Sequence, residues 1–499
     1  MWAWARDKLI LDKSCHLALY DQRLMRRSPG FVFWFCSLSV ALAALSLRAT
    51  EPPRSSVLFI SIDDLNNSLG CYGNTAVKTP NVDRLASMGI RFDRAYCQYP
   101  LCNPSRTSFL SGRYPDTTGI FDNDTSPRTV LKDLLFMPEY FRSEGFFTAC
   151  CGKLVHGGFR HDLKWDVLED AAKDSKRSKT DTGDEEEAPA RRGSTGTVEK
   201  GVLGARATTG PDSEEPDGIN ARRVAQLLEE NREKAFFITA GIHKPHLPFT
   251  VPKKYFDMHP PDKIVLPKEP ADDTKDIPAL ALTQIGGGGS NRAAEEGDRR
   301  ASIAAYYACV SFMDAQVGVL LDTMDRLKLW DKTVVIFMSD HGWHLGEHGG
   351  LWKKMSLFEP SARVPMIMVV PGMKTGVSSE RLVELVDLYP TLAELCGLPK
   401  PEGVEGISLV PLLQEPNRPW KKAAYTIVSR GKKTGRSVRT EDFRYTEWGD
   451  PDSAELYDHR SDPYEYTNLV TDPRHASTLK QMRQLLADGW KAARPDKPL

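Results

Sequence analysis

The chain has 499 residues, 40% of them hydrophobic, which is enough to bury the core of one large domain and a smaller one. Its 66 basic and 67 acidic residues give a formal net charge of -1 at pH 7. This balance provides no overall positive field that would attract nucleic acid or an anionic membrane. The composition therefore excludes a disordered or fibrous chain, predicts no nucleic-acid partner, and leaves anion binding to a local site.

The first element in chain order is a basic segment followed by an apolar run. Arginines at 23–27 precede the apolar residues 31–50, which is the order found in a secretory signal. We predict a signal peptide at residues 1–49, with Met25 as an alternative start, and a secreted or periplasmic location, or a lysosomal route in a eukaryote. An uncleaved membrane anchor is the alternative, because the run approaches the length that spans a bilayer; otherwise we expect no stable membrane partner.

Short apolar runs rich in β-branched and aromatic residues follow along the chain and predict buried strands. These runs are residues 56–65, 146–156, 235–246, 333–342 and 364–372. Residues 301–327 carry apolar side chains at helical spacing and predict a long packed helix. Continuous apolar strands that alternate with helices indicate an α/β fold, with a mostly parallel sheet covered on both faces.

The domain organisation follows from changes in composition. We predict a catalytic domain at 50–415 with flexible insertions near 170–201 and 285–298, since both insertions are polar and poor in large apolar residues. After about residue 415 the pattern changes to short alternating segments and a terminal helix. A C-terminal subdomain at 416–499, with a small antiparallel sheet and one helix, is the expected result.

The segment LCNPSRTSFLSGRYP, residues 101–115, predicts a helix that begins at Cys102. Pro104 suits a first helical turn and Gly112 suits the end of the helix. Cys102 would then lie at the helix N-terminus, where the dipole favours a thiolate. The alternative is a surface helix that carries an unremarkable thiol. The nine cysteines form no C-x-x-C pair, which argues against zinc and thioredoxin-type chemistry.

Polar residues capable of chemistry follow four of the predicted strands. They are Asp63 and Asp64, Lys153 and His156, His243 and His246, and Asp340 and His341. In open α/β sheets, ligands bind at the carboxyl edge of the strands, so neighbouring strands would bring these groups together. Several carboxylates with few sulfur or nitrogen ligands suit calcium or magnesium, and lysines beside such an ion make a pocket for a tetrahedral oxyanion. Taken singly, each residue is equally consistent with a turn, a cap or a solvated side chain.

The segment CNPSRTSFLSGR, residues 102–113, resembles the signature of the type I sulfatases, in which this cysteine is oxidised to formylglycine. Four further segments resemble the iduronate-2-sulfatases within that family. They are SIDDLNNSLGCYGN (61–74), CGKLVH (151–156), GIHKPHLPF (241–249) and SDHGWHLGEHG (339–349). The similarity extends from about residue 56 to 390, and the inserted region at 170–201 does not fit it.

The resemblance implies an alkaline-phosphatase-like fold with a large mixed, mostly parallel sheet flanked by helices, and a small C-terminal antiparallel sheet with a helix. The ligands it implies for one Ca²⁺ are Asp63, Asp64, the modified Cys102, Asp340 and His341. The catalytic residues it implies are Cys102 as nucleophile, Arg106, Lys153, His156, His243 and Lys354. Arg106 would orient the aldehyde hydrate, and the other side chains would hold the sulfate and transfer protons. Lys353 is the alternative to Lys354, because the register there is ambiguous by one residue.

The activity implied is that of a sulfatase, most closely the removal of a 2-O-sulfate from a uronic acid in a glycosaminoglycan-like chain. The partners implied are a sulfated carbohydrate and a formylglycine-generating maturation enzyme. Candidates for the substrate entrance are Trp343, His344, Arg436, Arg439 and Arg444. The alternatives are a sulfatase for another sulfated polysaccharide, a phosphatase or phosphonate hydrolase of the same superfamily, and a non-catalytic binder of sulfated glycans.

Overall fold

The computed structural model describes residues 54–174, 205–283 and 296–495. The predicted signal peptide at 1–49 lies outside the described residues. Most of the two predicted insertions, near 170–201 and 285–298, also lies outside them.

A large sheet of eight strands occupies the centre of the fold. The strands that precede the C-terminal region are β1 Ser56–Ile62, β2 Ile90–Tyr96, β3 Phe147–Gly152, β4 Val167–Glu169, β5 Arg206–Thr208, β6 Phe236–Ile242, β7 Thr250–Pro252, β8 Thr333–Ser339, β9 His344–Leu345, β10 Trp352–Lys353, β11 Arg363–Val369 and β12 Val377–Glu384. The large sheet has the strand order β12-β2-β11-β8-β1-β6-β3-β4. Within it only β11 runs antiparallel to its neighbours. The prediction of a mostly parallel sheet is confirmed, and the five predicted strands are β1, β3, β6, β8 and β11.

Helices cover both faces of this sheet. The longer ones are α1 Pro80–Met88, α2 Cys102–Ser111, α3 Met137–Ser143, α4 Pro216–Glu230, α5 Glu296–Leu327, α6 Leu388–Leu395 and α7 Ala476–Asp488. Short helical segments lie at Pro115–Thr118, Pro127–Val130, Ala171–Asp174, Lys253–Asp257, Glu347–Gly350, Glu359–Ala362 and Val410–Gln414. Leu58 and Ile60 of β1 pack in the cluster that contains α4 and α5, whereas Val57 and Phe59 pack in the cluster that contains α2 and α6. Alternate residues of one buried strand therefore supply two cores.

The long helix α5 confirms the packed helix predicted at 301–327. Within the described residues it is the one helix long and apolar enough to cross a membrane, but most of it is buried inside the protein. Val310, Val317 and Leu320 lie fully buried against the sheet. Its apolar character is therefore that of a core helix.

The C-terminal region forms the small antiparallel sheet that the sequence predicts. Its four strands, in spatial order, are β13 Ala424–Arg430, β14 Lys433–Arg439, β15 Phe443–Trp448 and β16 Ala454–Asp458. The terminal helix α7 packs on this sheet through Met482, which shares a core cluster with Tyr445 and Leu456.

Candidate active site

Three aspartates meet where β1 and β8 end side by side. The amide of Asp63 donates to the carbonyl of Ile242 at 3.1 Å, so the pairing with β6 continues one residue beyond the end of β1. Asp64 then adopts a left-handed conformation with φ of +63°, and its amide donates to Asp340 Oδ1 at 3.3 Å. In a continuing strand, adjacent residues point to opposite faces. The turn at Asp64 allows both carboxylates to face one point.

Cys102 is the first residue of α2 and lies fully buried among these groups. Its Sγ lies 3.5 Å from Asp63 Oδ1 and 3.3 Å from His341 Nε2. The ammonium groups of Lys354 and Lys153 lie 3.3 Å and 3.7 Å from the same sulfur. The helix ends at Gly112 in the left-handed conformation, with φ of +66°, as the sequence predicts. The thiol is therefore the centre of a cluster that contains both acids and cations.

Arg106 lies one helical turn after Cys102 and binds two of the three carboxylates. Its Nε donates to Asp340 Oδ2 at 2.9 Å, and its Nη2 donates to Asp63 Oδ1 at 3.0 Å. Nη1 donates to the carbonyl oxygen of Lys153 at 2.9 Å. Burial alone would lower the pKa of Arg106, but Asp340 and Asp63 raise it, so the guanidinium stays charged. Arg106 thus connects the residues that follow β1, β8 and β3.

Two lysines contact the cluster through different aspartates. Lys153 Nζ donates to Asp63 Oδ2 at 2.5 Å, and Lys354 Nζ donates to Asp64 Oδ1 at 2.9 Å. Lys353 instead pairs with His344 in the short β9–β10 ladder. Lys353 and Met355 both have φ of +71°, so the backbone on each side of Lys354 is held in a conformation that such residues seldom adopt. The structure therefore brings Lys354, and not Lys353, to the cluster.

The histidines that follow β6 have different surroundings. His246 Nε2 lies 3.8 Å from Asp64 Oδ2, and its Nδ1 lies 2.6 Å from the carbonyl oxygen of Leu247. Burial lowers the pKa of His246 well below its usual value, so its ring is neutral, with Nδ1 as the donor. His156, predicted beside Lys153, is buried on the loop after β3.

His243 is held between two carboxylates and does not share the contacts of His246. Its Nδ1 lies 3.1 Å from Asp217 Oδ1, and its Nε2 lies 3.4 Å from Asp170 Oδ2. Burial alone would lower its pKa, but Asp170 and Asp217 raise it to about 10. Sequence reasoning placed both histidines at the strand end but selected His243. Its partners lie 73 and 26 residues before it in the chain, so no local pattern announces them.

Asp63, Asp64, Cys102 and His341 could together hold a metal ion, since one ligand atom from each lies within 4.8 Å of the others. Asp64 Oδ2 is buried and accepts no hydrogen bond. His341 Nδ1 lies 3.0 Å from the carbonyl oxygen of Gly342, which leaves Nε2 directed at the cluster. The carboxylate oxygens of Asp63 and Asp64 are ligands that Ca²⁺ prefers, whereas a thiol sulfur is not, so the set fits that ion once residue 102 offers oxygen in place of sulfur.

The pKa values of Asp63 and Asp64 are shifted in opposite directions, and a cation bound beside Asp64 would favour its charged form. Burial raises the pKa of Asp64 to about 8, with Lys354 opposing the rise and Asp63 adding to it. For Asp63, burial is outweighed by cations, of which Lys153 acts most strongly, and the pKa lies well below its usual value. Asp340 already accepts hydrogen bonds from Arg106 and from the amides of Asp64 and His341. Its carboxylate lies at the edge of the donor set and holds the set together.

The predicted substrate entrance is wrong for four of its five residues. Trp343 and His344 are buried, and His344 Nε2 lies 2.6 Å from Ser356 Oγ. Arg439 and Arg444 are buried in ion pairs with Glu359, and Arg444 also binds Glu465. Arg439 on β14 and Arg444 on β15 lie opposite each other in the small sheet, and both face the segment that contains Glu359. The fifth, Arg436, remains partly exposed and pairs with Asp116 at 2.7 Å.

Comparison with known proteins gives consistent matches over most of the chain. The family described as Sulfatase matches residues 55–398, and the family described as N-sulphoglucosamine sulphohydrolase, C-terminal, matches residues 346–491. A sulfatase of Formosa agariphila is 33% identical, covering 90% of each chain. Iduronate 2-sulfatase of Mus musculus is 30% identical, covering 92% of this chain and 98% of its own. The crystal structure of a phosphonate monoester hydrolase of Agrobacterium radiobacter shares the fold, with a TM-score of 0.73 and 24% identity over 88% of this chain and 96% of that one.

Proposed function

The chain belongs to the sulfatase family and is a sulfuric ester hydrolase, and from this premise we propose that it removes the 2-O-sulfate of a uronic acid in a glycosaminoglycan-like chain. The similarity to iduronate 2-sulfatase over nearly the full length of both chains supports this substrate. The observation that carries the proposal is the position of Cys102, buried at a helix N-terminus between Lys153 and Lys354. A sulfate ester placed there would be bound by cations on two sides.

We propose that Cys102 is oxidised to formylglycine and that one Ca²⁺ binds beside it. The hydrated aldehyde would supply one hydroxyl as the nucleophile and a second hydroxyl that allows sulfate to be expelled. The ion would be held by Asp63, Asp64, Asp340, His341 and residue 102, and would increase the acidity of the attacking hydroxyl. The buried oxygen of Asp64 that accepts no hydrogen bond supports this binding.

The chain's own residues hold the ester and move protons. Lys153 and Lys354, each already bound to an aspartate, would bind two sulfate oxygens through charge-assisted hydrogen bonds. Asp340 would accept the proton of the attacking hydroxyl, Lys354 would protonate the departing sugar oxygen, and His156 would accept the proton of the second hydroxyl. His246 faces Asp64 and takes the place beside the cluster that the sequence assigned to His243. Arg106 fixes Asp63 and Asp340, so the nucleophile and the cations keep their relative positions.

Two further proposals concern the route to the active protein. We propose that the chain is exported through its basic and apolar N-terminal segment, because a secreted sulfatase can reach extracellular polymers. We also propose that a formylglycine-generating maturation enzyme recognises the CNPSR segment before α2 folds, since Cys102 is fully buried in the folded chain.

The test has two parts. Protein coexpressed with an active maturation enzyme is digested with trypsin, and the mass of peptide Ala95–Arg106 is measured for the aldehyde at position 102. The same preparation is then assayed for sulfate release from a 2-O-sulfated uronate disaccharide and from glycans sulfated at other positions. An aldehyde together with preference for the 2-O-sulfated uronate supports the proposal.

Other outcomes identify the alternatives. Turnover of a different sulfated glycan in preference would make the chain a sulfatase for another polysaccharide. Faster turnover of a phosphonate monoester would favour the hydrolase class that shares the fold. An unmodified thiol, with the maturation enzyme active on a control peptide, would favour a non-catalytic binder of sulfated glycans.

A further inference from the structure

A cavity of about 660 Å³ lies near the catalytic cluster, and we propose that it binds a pyranose residue of the same polymer chain. This inference rests on the proposed function, because it places a second sugar of the sulfated substrate. The volume is within the roughly 300–1,000 Å³ that is usual for ligand sites. Its walls are formed by the loop at 66–68, the segment at 265–268 and the segment at 463–466, with Glu347, His348 and residues 359–363. We call it the tyrosine cavity, after Tyr464 and Tyr466.

The tyrosine cavity is close to the catalytic cluster along the loop that follows β1. Asn66 lines the cavity and lies two residues after Asp64, so their Cα atoms are at most about 7 Å apart. The Asn66 side chain donates to the carbonyl oxygen of Trp343 at 2.9 Å, and the Trp343 ring lies 5.8 Å from Lys354 Nζ. One polymer chain with its sulfated residue at Cys102 therefore has a second binding site within one or two residues of the first.

The aromatic rings of the cavity are arranged as a platform. Tyr464 and Tyr466 are stacked, with ring centroids 5.6 Å apart and planes inclined by 22°. Tyr464 is 67% exposed, which is unusual for a large ring that is already fixed by a neighbour. A rigid aromatic face with a polar end loses little conformational entropy when it covers a flat ligand. The apolar face of a pyranose ring has the required shape.

The polar groups of the cavity leave an acceptor for its occupant to satisfy. Glu359 is already paired with Arg444, and Glu347 lies 3.4 Å from the ring of His344. Lys268 and Arg363 also line the cavity, so its wall carries charges of both signs. Asn67 Oδ1 is buried at the cavity and accepts no hydrogen bond, so it requires a donor. A sugar hydroxyl supplies one, whereas a sulfate or carboxylate supplies only acceptors.

The experiment compares two substrates of different length. Wild type, Tyr464→Ala, Tyr464→Phe and the exposed control Met258→Ala are assayed on 4-nitrophenyl sulfate and on a tetrasaccharide that carries one 2-O-sulfated uronate. We expect Tyr464→Ala to lower kcat/KM on the tetrasaccharide about two- to tenfold, since loss of a stacked aromatic contact is worth roughly 0.5–1.5 kcal/mol. Its turnover of the aryl sulfate should be unchanged, and Tyr464→Phe and Met258→Ala should match wild type on both substrates.

Two results would overturn the inference. Equal loss on both substrates would make Tyr464 a structural residue, and no loss on the tetrasaccharide would leave the cavity without a sugar. If wild type cleaves no sulfate ester, the proposed function itself fails. The cavity is then judged by calorimetric titration with a desulfated, carboxyl-reduced tetrasaccharide, whose binding should disappear in Tyr464→Ala and remain in Tyr464→Phe. Equal affinity in both variants would overturn the inference on its own.

Discussion

At the scale of single residues, the cluster depends on side chains whose backbones are held in unusual conformations. Asp64 has φ of +63°, and the two residues that flank Lys354 have φ of +71°, so that the carboxylate of Asp64 and the ammonium group of Lys354 both lie at the cluster. Such conformations cost roughly 1–3 kcal/mol each and persist only where the surroundings determine them. Here the surroundings are the ladder of β9 and β10 and the hydrogen bond from the Met355 amide to Pro100 O at 3.1 Å.

Lys354→Ala should lower kcat/KM on 4-nitrophenyl sulfate by about 10²–10³, the usual effect of removing one donor that stabilises developing charge. Lys353→Ala is the matched control, because Lys353 is adjacent in sequence but lies in the β9–β10 ladder. Formylglycine content is measured by mass in both variants, so that a loss of modification is not mistaken for a loss of catalysis. A larger loss in Lys353→Ala would contradict the register that the structure gives.

His243→Gln should reduce the free energy of unfolding more at neutral pH than at high pH. The folded pKa of His243, about 10, lies above its unfolded value, so its ion pairs stabilise fully below about pH 6.5 and are lost as pH rises through 10. The pKa of Asp170 is lowered to about 2, against burial, chiefly by His243, so its share is lost only toward that pH. Urea unfolding at pH 6.5, 8.5 and 10.5 measures the difference between the two proteins. A difference in the free energy of unfolding that stays constant with pH would contradict a stabilising role for the ion pairs of His243.

At the scale of elements, α2 is a polar helix in which every one of the ten residues is buried. Its apolar residues follow no amphipathic pattern, and it is stabilised by polar contacts such as Ser105 Oγ to the carbonyl oxygen of Asp340 at 2.5 Å. The C-terminal sheet packs against the segment that follows Lys354. Leu357 and Phe358 pack with Val428 and Trp448 in one apolar cluster. The small sheet therefore helps to fix the position of Lys354.

Arg444→Met should lower the free energy of unfolding by about 3–5 kcal/mol, because it leaves Glu465 and Glu359 buried with one cation fewer. Arg436→Met is the control, since the Arg436 pair with Asp116 is half exposed and such pairs contribute only about 0–1 kcal/mol. Thermal unfolding of both variants, followed by calorimetry, measures the difference. Equal destabilisation would show that the buried network does not hold the C-terminal sheet in place.

At the scale of the whole molecule, the cluster unites segments that are far apart in the chain. The order β8-β1-β6-β3 in the sheet brings the residues after these strands to one edge. A ligand that binds such a cluster only in the folded state stabilises the whole fold, by about 2.7 kcal/mol at a concentration of 100 times Kd.

Calcium should therefore raise the Tm of the wild-type protein, and chelation should lower it. Asp64→Asn should respond far less, because it replaces the carboxylate whose buried oxygen accepts no hydrogen bond. The measurement is thermal unfolding of both proteins with calcium, with magnesium and with chelator, which does not depend on activity. An identical calcium shift in both proteins would exclude Asp64 as a ligand.

The class of fold, the strands and the long helix could be predicted from the amino-acid sequence, because apolar periodicity reports local burial directly. The same holds for where α2 begins and which residues follow the strands, since caps and strand ends are local features. The motifs CNPSR and SDHG were sufficient to indicate the family that the comparisons confirm.

Only the tertiary structure decided which of these residues meet. His243 and His246 are three residues apart, yet Asp170 and Asp217 bind one while the other faces Asp64. Arg439 and Arg444 lie opposite each other on β14 and β15, and both are buried in ion pairs, with Glu359 and Glu465 respectively. The partners in each case come from distant parts of the chain. A side chain's environment depends on which elements pack together, and the pattern of its own segment does not contain that information.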